Sequence, residues 1–355
     1  MLNFTVGPVQ ESKEVLEVGA QPTPYFRNQS FSKIMLENEA MMKELTFSDK
    51  ESRVIFLTAS GTGAMEAAVM NSFTSDDKVL VVNGGSFGKR FVQICQIHQI
   101  PYTEITVPIE EPLTKEMLEP YDGRDYTGFL INMHETSIGK LYDINMVSEF
   151  CKKNNLFLVV DAVSAFLAEP LNLSELGIDI MLTGSQKALA VPPGVSVLVM
   201  NKRAVDMAYN LDVKSMYFNL ADALKNGERG QTPFTPAVGI LLQIHRRLEE
   251  LCKAGAIAEN KRIADLAADF RKKVKDLPFR MFSPSPSNAV TAMTMENGKS
   301  AYALFELLES DYGMWICPNG GDLKDKIFRV GHLGALTFED NDRLVEAMKQ
   351  ALERL

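Results

Sequence analysis

Two predominantly apolar runs constrain the fold of this chain more than any other feature. The first, Leu156 to Val160, stops at Asp161, and the second, Ile178 to Thr183, leads into Gly184-Ser185-Gln186-Lys187. Strands of a parallel sheet that is covered on both faces have such continuous hydrophobic sequences, and ligands collect at their carboxyl ends. The pattern predicts an α/β protein in which two strand ends present an acid and an amine.

Asp161 and Lys187 allow two interpretations on the residues alone. A lysine in an apolar setting has a lowered pKa, which frees its amine as a nucleophile that forms a Schiff base with a carbonyl group. A buried aspartate needs a cationic partner, and the pyridinium nitrogen of pyridoxal phosphate is one. The simpler interpretation is a Lys–Asp ion pair or two unrelated strand ends, so further motifs have to decide.

Further motifs occur in order along the chain, at Val160–Ala165, at Thr183–Leu189 and at Pro192-Pro193-Gly194. Together they resemble the signature of class V pyridoxal-phosphate aminotransferases. The branch concerned holds alanine–glyoxylate, serine–pyruvate and 2-aminoethylphosphonate–pyruvate aminotransferases. The resemblance extends from Val6-Gly7-Pro8 to Phe328–Gly331. It implies the fold-type I architecture, a mostly parallel seven-stranded sheet with helices on both faces plus a smaller C-terminal α+β domain.

The same resemblance, with a change in the rhythm of strands and helices near Ala237, predicts three parts. Residues 1–14 form an N-terminal segment over the active site, residues 15–236 a large cofactor-binding domain, and residues 237–355 a small domain.

A strand at Arg53–Thr58 turns through Ala59–Gly63 into a helix. A helix N-terminus carries partial positive charge, and glycines let backbone N–H groups approach an anion, so this turn predicts a phosphate site. A dinucleotide-binding turn is the alternative, but its fingerprint needs Gly or Ala where Glu66 stands. The resemblance assigns the cofactor phosphate to Ser60, Gly61 and Thr62.

The resemblance also assigns the contacts to the cofactor ring. Lys187 and Asp161 are the catalytic pair, and the other ring or phosphate contacts are Phe87, Thr136, Val163 and Gln186. Phe87 supplies a stacking face where class V cysteine desulfurases have His. For His134 we favour a structural hydrogen bond over a role as general base, because Lys187 is the better proton shuttle.

Substrate residues are assigned by the resemblance as well. Arg329 matches an arginine that binds the substrate carboxylate through two parallel hydrogen bonds, and the backbone at Gly7 supports the same group. Arg27, in a Phe-Arg pair where relatives commonly have His-Arg, is predicted at the distal part of the substrate. A solvated Arg27 is the alternative.

The segment from Asn219 to Gly230 is polar, and the following Gln231–Pro236 contains two prolines, so we predict a loop. In relatives this loop crosses to the partner subunit and gives a hydroxyl to the neighbour's cofactor phosphate. Thr235 and Thr232 are therefore predicted as cofactor contacts of a homodimer with shared active sites. An ordinary proline-rich linker is the alternative.

Charge and cysteine content exclude several classes of protein. A net charge of −9 and a pI near 5.2 argue against nucleic acid or an anionic membrane as a partner. The four cysteines are far apart and indicate neither a metal site nor a disulfide framework. No export signal or 18-residue apolar run is present, so we expect a cytoplasmic protein.

The predicted function is transamination of a small amino donor, of the alanine or serine type, with a 2-oxo acid such as glyoxylate or pyruvate. The first alternative is a 2-aminoethylphosphonate–pyruvate aminotransferase. A desulfurase or lyase is a second, which Cys317 supports and Phe87 opposes. A cofactor-binding regulator is a third, but no helix-turn-helix or basic appendage supports it.

Overall fold

The computed structural model describes residues 1–355, with fifteen strands and thirteen α-helices. The strands are β1 (Leu2–Asn3), β2 (Arg53–Leu57), β3 (Val79–Asn83), β4 (Tyr102–Thr106), β5 (Gly128–Asn132), β6 (His134–Glu135), β7 (Lys140–Leu141), β8 (Phe157–Asp161), β9 (Ile180–Gly184), β10 (Ser196–Met200), β11 (Phe279–Met281), β12 (Val290–Met295), β13 (Met314–Trp315), β14 (Cys317–Pro318) and β15 (Ile327–Gly331). The helices are α1 (Lys13–Gly19), α2 (Gln29–Leu45), α3 (Gly61–Met70), α4 (Gly88–Ile97), α5 (Lys115–Leu118), α6 (Ile144–Lys153), α7 (Leu173–Leu176), α8 (Lys202–Asn210), α9 (Leu220–Gly227), α10 (Val238–Ala254), α11 (Ala256–Lys273), α12 (Ala301–Tyr312) and α13 (Phe338–Arg354).

Seven strands form the central sheet in the order β2-β10-β9-β8-β5-β3-β4. All neighbours are parallel except β10, which runs antiparallel to both β2 and β9. The predicted mostly parallel seven-stranded sheet is confirmed. Strands β8 and β9 are adjacent and every residue of both is buried, so their carboxyl ends meet at one edge of the sheet.

Alternate residues of β8 face two different hydrophobic clusters. Leu158 and Val160 belong to a cluster with side chains of α2, α6 and α10, whereas Phe157 and Val159 belong to a cluster with side chains of α3 and α4. Helices therefore cover both faces, as the continuous apolar runs predict. Burying each such side chain contributes about 1.5–3 kcal/mol, which fixes the strand whose end carries the site. None of the helices combines the length and hydrophobicity needed to cross a membrane.

A smaller antiparallel sheet, β11-β12-β15-β14, packs with α11 to α13 around a third cluster. Phe4 belongs to this cluster, and β1 pairs with β13, so the N-terminal segment is anchored to the smaller sheet. Side chains of α10, such as Leu241 and Ile244, belong instead to the cluster that contains α2. The three-part division at residues 14 and 236 remains a prediction.

The polar segment before the proline-rich loop differs from the prediction of a continuous loop. Leu220–Gly227 is a helix, capped by the Asn219 side chain, which accepts a hydrogen bond from the Asp222 amide. Leu220 and Leu224 are buried one helical turn apart, so two apolar anchors and one capping residue suffice to form the helix.

Candidate active site

Asp161 and Lys187 stand at the carboxyl ends of β8 and β9. The Asp161 side chain accepts one hydrogen bond, through Oδ1 from the Val163 amide at 2.8 Å, and Oδ2 has no partner within the chain. Burial raises the pKa of Asp161 to about 6. Burial lowers the pKa of Lys187 to about 8, with opposing contributions from nearby charges. The two groups thus have the perturbed acid–base properties that are common at functional sites.

The N-terminal segment lies directly on the Lys187 side chain. Lys187 Nζ donates to the Val6 carbonyl at 2.6 Å. A Cβ atom at Gly7 would lie 2.7–2.8 Å from Lys187 Cδ, Cε and Nζ, so only glycine allows this approach without displacement. The structure therefore places the predicted residue Gly7 beside the lysine amine.

Helix α3 begins at the same edge of the sheet. The Ser60 side chain caps it by accepting a hydrogen bond from the Gly63 amide at 3.3 Å. Thr62 Oγ1 accepts a hydrogen bond from Arg90 Nη1 at 2.8 Å, which adds a fixed positive charge to the helix N-terminus. This arrangement is suited to an anion.

Phe87 lies at the start of α4, in a loop that one carboxylate holds in place. Buried Glu135 accepts hydrogen bonds from the Phe87 and Gly88 amides at 3.1 and 3.0 Å, and also from Asn132 Nδ2. The Arg90 guanidinium lies 4.5 Å from the centroid of the Phe87 ring. Phe87 is therefore held by the hydrogen bond of its backbone amide and by the contact of Arg90 with its ring.

Thr136, Ser164 and His134 form a buried chain of hydrogen bonds. Ser164 Oγ is 2.6 Å from Thr136 Oγ1 and 2.9 Å from His134 Nδ1. His134 Nε2 is buried without a partner, and burial lowers the histidine pKa to about 3, so the ring is neutral near pH 7. The structure thus gives His134 the hydrogen-bonding role that the sequence favours.

These groups line one cleft with about 580 Å³ of empty space. Its walls contain all the residues that were predicted to contact the cofactor ring and phosphate of their own chain, together with three further polar residues. The lining residues are Ser60, Gly61, Thr62, Met65, Phe87, Arg90, His134, Thr136, Asp161, Val163, Ser164, Gln186 and Lys187.

Arg329 on β15 lies behind this cleft. Its Nη1 and Nη2 atoms donate to the carbonyls of Thr136 and Pro318 at 2.9 and 2.8 Å, while Nε is buried without a partner. Its positive charge is one of those that lower the pKa of Lys187, after the larger effect of burial. Cys317 pairs across the strands with Arg329, and its Sγ accepts a hydrogen bond from the Val6 amide at 3.5 Å.

Comparison with known families decides what kind of protein carries this cleft. A family model described as aminotransferase class V matches residues 18–315. The chain belongs to the class V aminotransferases.

Individual aminotransferases match over almost the whole chain. An uncharacterized aminotransferase of Helicobacter pylori strain J99 is 31% identical over 363 residues, covering 100% of this chain and 95% of the relative. Serine–glyoxylate aminotransferase of Hyphomicrobium methylovorum is 27% identical, covering 94% of this chain and 85% of the relative. The crystal structure of a subgroup IV aspartate aminotransferase from Thermus thermophilus matches with a TM-score of 0.92 and 28% identity, covering 100% and 99% of the two chains.

In this class V aminotransferase, the predicted site residues Arg27, Thr232 and Thr235, like Gly7 and Arg329, are not among the residues that line the cleft of their own chain. Thr232 and exposed Thr235 line a separate pocket against β2, and the Thr232 hydroxyl donates to the Phe234 carbonyl at 2.7 Å. Arg27 donates to the side chain of Gln231 at 3.0 Å and to the Thr232 carbonyl at 2.6 Å. Arg27 therefore holds the 231–236 loop, and its predicted contact with substrate stays a prediction.

Sequence reasoning missed Arg90, Glu135 and Ser164. Arg90 stands one helical turn after Phe87, which places both side chains on one face of α4. Glu135 belongs to a polar run directly after the apolar strand β5, and a carboxylate next to a buried strand needs hydrogen-bond donors. Ser164 lies inside a motif already noted, but nothing in the sequence reveals that it connects His134 to Thr136.

Proposed function

We propose that this class V aminotransferase uses pyridoxal 5′-phosphate to transfer the amino group of a small amino acid to a 2-oxo acid such as glyoxylate or pyruvate. The observation that carries the proposal is the placement of a buried carboxylate and a buried amine in the lining of one cleft, at two adjacent strand ends.

The polar groups of the cleft fit the parts of this cofactor. The N-terminus of α3 with Arg90 suits a phosphate, and the unpaired Oδ2 of Asp161 suits a ring N–H donor. Phe87 offers an aromatic face for the ring, and Lys187 offers an amine at the edge of the sheet. When bound, pyridoxal phosphate supplies an electron sink for the bonds at the substrate Cα.

Individual residues of the cleft then have separate roles in the proposed reaction. Lys187 Nζ would be the point of attachment of the cofactor, and as a free amine it would carry the proton at the substrate Cα. Asp161 Oδ2 would accept a hydrogen bond from the protonated ring nitrogen, and because burial raises the pKa of Asp161 to about 6, that positive partner would favour the ionised carboxylate. Val163 and Gln186 provide further cofactor contacts from the two strand ends.

Arg329 is the proposed partner of the substrate carboxylate. Its buried Nε atom has no partner in the chain, and Nη1 and Nη2 each use only one of their two N–H groups, so the guanidinium keeps a pair of donors for a ligand carboxylate. The backbone at Gly7 supports the same end of the substrate because it lies against Lys187 Nζ. A relative named serine–glyoxylate aminotransferase supports a small amino donor and a 2-oxo acid acceptor.

We further propose a cytoplasmic homodimer in which Thr235, with Thr232, completes the phosphate site of the partner subunit. Thr235 is exposed and makes no hydrogen bond in its own chain, although its loop is fixed by Arg27. A fixed loop with an unused hydroxyl suits a contact with a second copy.

A donor screen tests the proposal. Purified protein loaded with pyridoxal phosphate should be yellow, and alanine or serine should bleach the visible band, which glyoxylate or pyruvate should restore. Lys187→Ala should show neither change. A wild-type protein that binds no pyridoxal phosphate, or whose band no amino donor alters, would contradict the proposal.

Cys317 favours one second candidate, a desulfurase or lyase, because its thiol lies close enough to Lys187 to affect the lysine pKa. Incubation with cysteine and dithiothreitol, which would reduce a Cys317 persulfide to the thiol and sulfide, followed by assay of sulfide and alanine, separates the two activities. Sulfide release in wild type that Cys317→Ser abolishes, without any transamination, would support the second candidate.

A further inference from the structure

The chain His134–Ser164–Thr136 leads from the protein interior to the wall of the cleft. His134, Ser164 and Thr136 are 2%, 4% and 3% exposed, and all three belong to the cleft lining. The family resemblance assigns a cofactor contact to Thr136, and the proposed function gives no role to His134 or Ser164. The direction of the hydrogen bonds among these three side chains decides whether the Thr136 hydroxyl acts as a donor or as an acceptor toward a ligand.

Two tautomers of neutral His134 give opposite directions. With the proton on Nδ1, His134 donates to Ser164, Ser164 donates to Thr136, and the Thr136 hydroxyl keeps its hydrogen for a ligand in the cleft or for the His134 carbonyl, which lies 3.5 Å away. With the proton on Nε2, Nδ1 accepts from Ser164 and Ser164 accepts from Thr136. The cleft then meets only the lone pairs of Thr136.

The surroundings of Nε2 distinguish the two tautomers. Nε2 is buried and has no hydrogen-bond partner. An orphaned buried N–H group is rarer in proteins than an under-satisfied acceptor, since the donor loses its only bond. The tautomer with its proton on Nδ1 avoids the orphaned donor.

We propose that His134 is a positioning residue that acts through Ser164 to make the Thr136 hydroxyl a hydrogen-bond donor toward the cleft. The ligand atom that suits this donor is an anionic oxygen next to the position of the lysine amine. In the proposed function, on which this inference rests, that atom would be the phenolic oxygen of pyridoxal phosphate, whose ring carbon is next to the one that bears the aldehyde.

Burial and nearby charges keep the His134 ring neutral, as both tautomers require. Besides burial, the positive charges of Lys187, Arg329 and Arg271 lower its pKa, so the ring stays neutral and keeps one unprotonated nitrogen. No carboxylate is among the groups that shift the pKa of His134. A neutral ring transmits a hydrogen-bond direction without adding a second positive charge beside Lys187.

The first test needs no cofactor. In protein labelled with ¹⁵N-histidine, the ring nitrogen shifts report the tautomer, and His134 is assigned by the signal that disappears in His134→Asn. We expect the proton on Nδ1 in the cofactor-free protein. A proton on Nε2 would overturn the inference.

The second test uses the visible band of the loaded protein, whose colour depends on a proton next to the ring oxygen. A hydrogen bond to that oxygen stabilises its negative charge and so lowers the pKa of the neighbouring proton. His134→Leu and Ser164→Ala should therefore raise the pH at which the band titrates by about one unit. His134→Asn, whose amide can replace Nδ1 as donor, should titrate close to wild type.

His332 provides a matched control. It is 1% exposed, has one ring nitrogen 2.8 Å from the Thr291 hydroxyl and the other without a partner, and lies outside the cleft lining. His332→Leu should lower thermal stability but leave the titration unchanged. Equal shifts in His134→Leu and His332→Leu would mean that loss of stability, not the hydrogen-bond chain, moves the band. If wild type shows no visible band, the proposed function fails, while the tautomer still decides the direction of the chain.

Discussion

Lys187 and Lys140 are both buried lysines, and the regions around them differ in one instructive way. Lys187 is 9% exposed and Lys140 is fully buried, and burial lowers the pKa of each to about 8. Lys187 lines a cleft that also contains an aspartate with an unpaired oxygen. Lys140 Nζ donates to the Pro108 carbonyl at 2.5 Å and lines no such cleft.

This difference shows that a lowered lysine pKa is insufficient to identify a catalytic amine. Burial lowers the pKa of structural lysines as well as that of catalytic lysines. What distinguishes Lys187 is its position at a strand end beside a second strand end that carries Asp161, with a helix N-terminus facing the same space. We therefore expect the two lysines to respond oppositely to the same experiments.

The largest expected effect is the loss of Lys187. Lys187→Ala should lower turnover by roughly 10²–10⁴-fold or more, because the proton transfer at the substrate Cα loses its acid–base group. Steady-state kinetics with alanine and glyoxylate measure the loss. Full turnover in this variant would remove the basis of the comparison.

Lys140→Met is the matched variant and should keep turnover near wild type. Its effect should appear in stability instead. The folded pKa of Lys140 lies below the ordinary value of 10.5, so between about pH 8 and 10.5 the unfolded chain binds more protons and stability rises with pH. Denaturant unfolding in the Lys187→Ala background should show a smaller rise after Lys140→Met. An unchanged rise would contradict the assignment.

Arg329→Lys tests the planar guanidinium of the Lys187 region, because the substitution keeps the positive charge. An ammonium cannot supply the planar pair of donors, so kcat/KM for alanine or serine should fall by roughly 30- to 1000-fold, equivalent to about 2–4 kcal/mol. A donor without a carboxylate, 2-aminoethylphosphonate, should be affected little if the enzyme accepts it. Equal losses for both donors would give Arg329 a structural role, and activity on the phosphonate alone would favour the alternative aminotransferase.

Glu135→Gln acts on both regions at once. The variant weakens bonds from the Phe87 and Gly88 amides to a charged acceptor, so we expect a loss of about 1.5–3 kcal/mol in cofactor affinity or unfolding free energy. It also removes a negative charge that raises the pKa of Lys140. Glu104→Gln, at an exposed carboxylate on β4, is the control. Equal effects at both positions would argue against the anchoring role.

Thr235→Ala has the smallest expected effect and tests whether the Lys187 region needs a second chain. Loss of one hydrogen bond to a charged group should weaken cofactor binding by about 1 kcal/mol, or roughly fivefold. Light scattering should show a dimer for both wild type and variant. A fully active monomer would exclude the shared site.

The sequence predicts the Lys187 region well for a physical reason. Burial on both faces imposes continuous apolar runs on β8 and β9. Polar residues that end such runs therefore lie at the edge of the sheet. Glycines at positions 61 and 7 are likewise constrained by close approach, at Gly7 to Lys187. Phe87, Thr136 and Arg329 depended on the family resemblance, since one aromatic, hydroxyl or guanidinium alone predicts little.

Other features depend on contacts that no local pattern encodes. The antiparallel direction of β10 cannot be recognised in the sequence, because its five residues are buried and mostly apolar, like those of a parallel strand. Helix α9 depends on one capping residue and two leucines within a polar segment. The Glu135 anchor and the His134–Ser164–Thr136 chain join residues on different elements, and only the folded chain brings them together.

Borohydride reduction of the loaded protein, followed by peptide mapping, tests the central claim most directly. Reduction fixes pyridoxal phosphate to the amine that carries it, and the mass of the modified peptide identifies the lysine. We predict a single modified site at Lys187, with Lys140 unmodified in the same digest. Modification of Lys140 or of exposed lysines in place of Lys187, or no modification at all, would contradict the account.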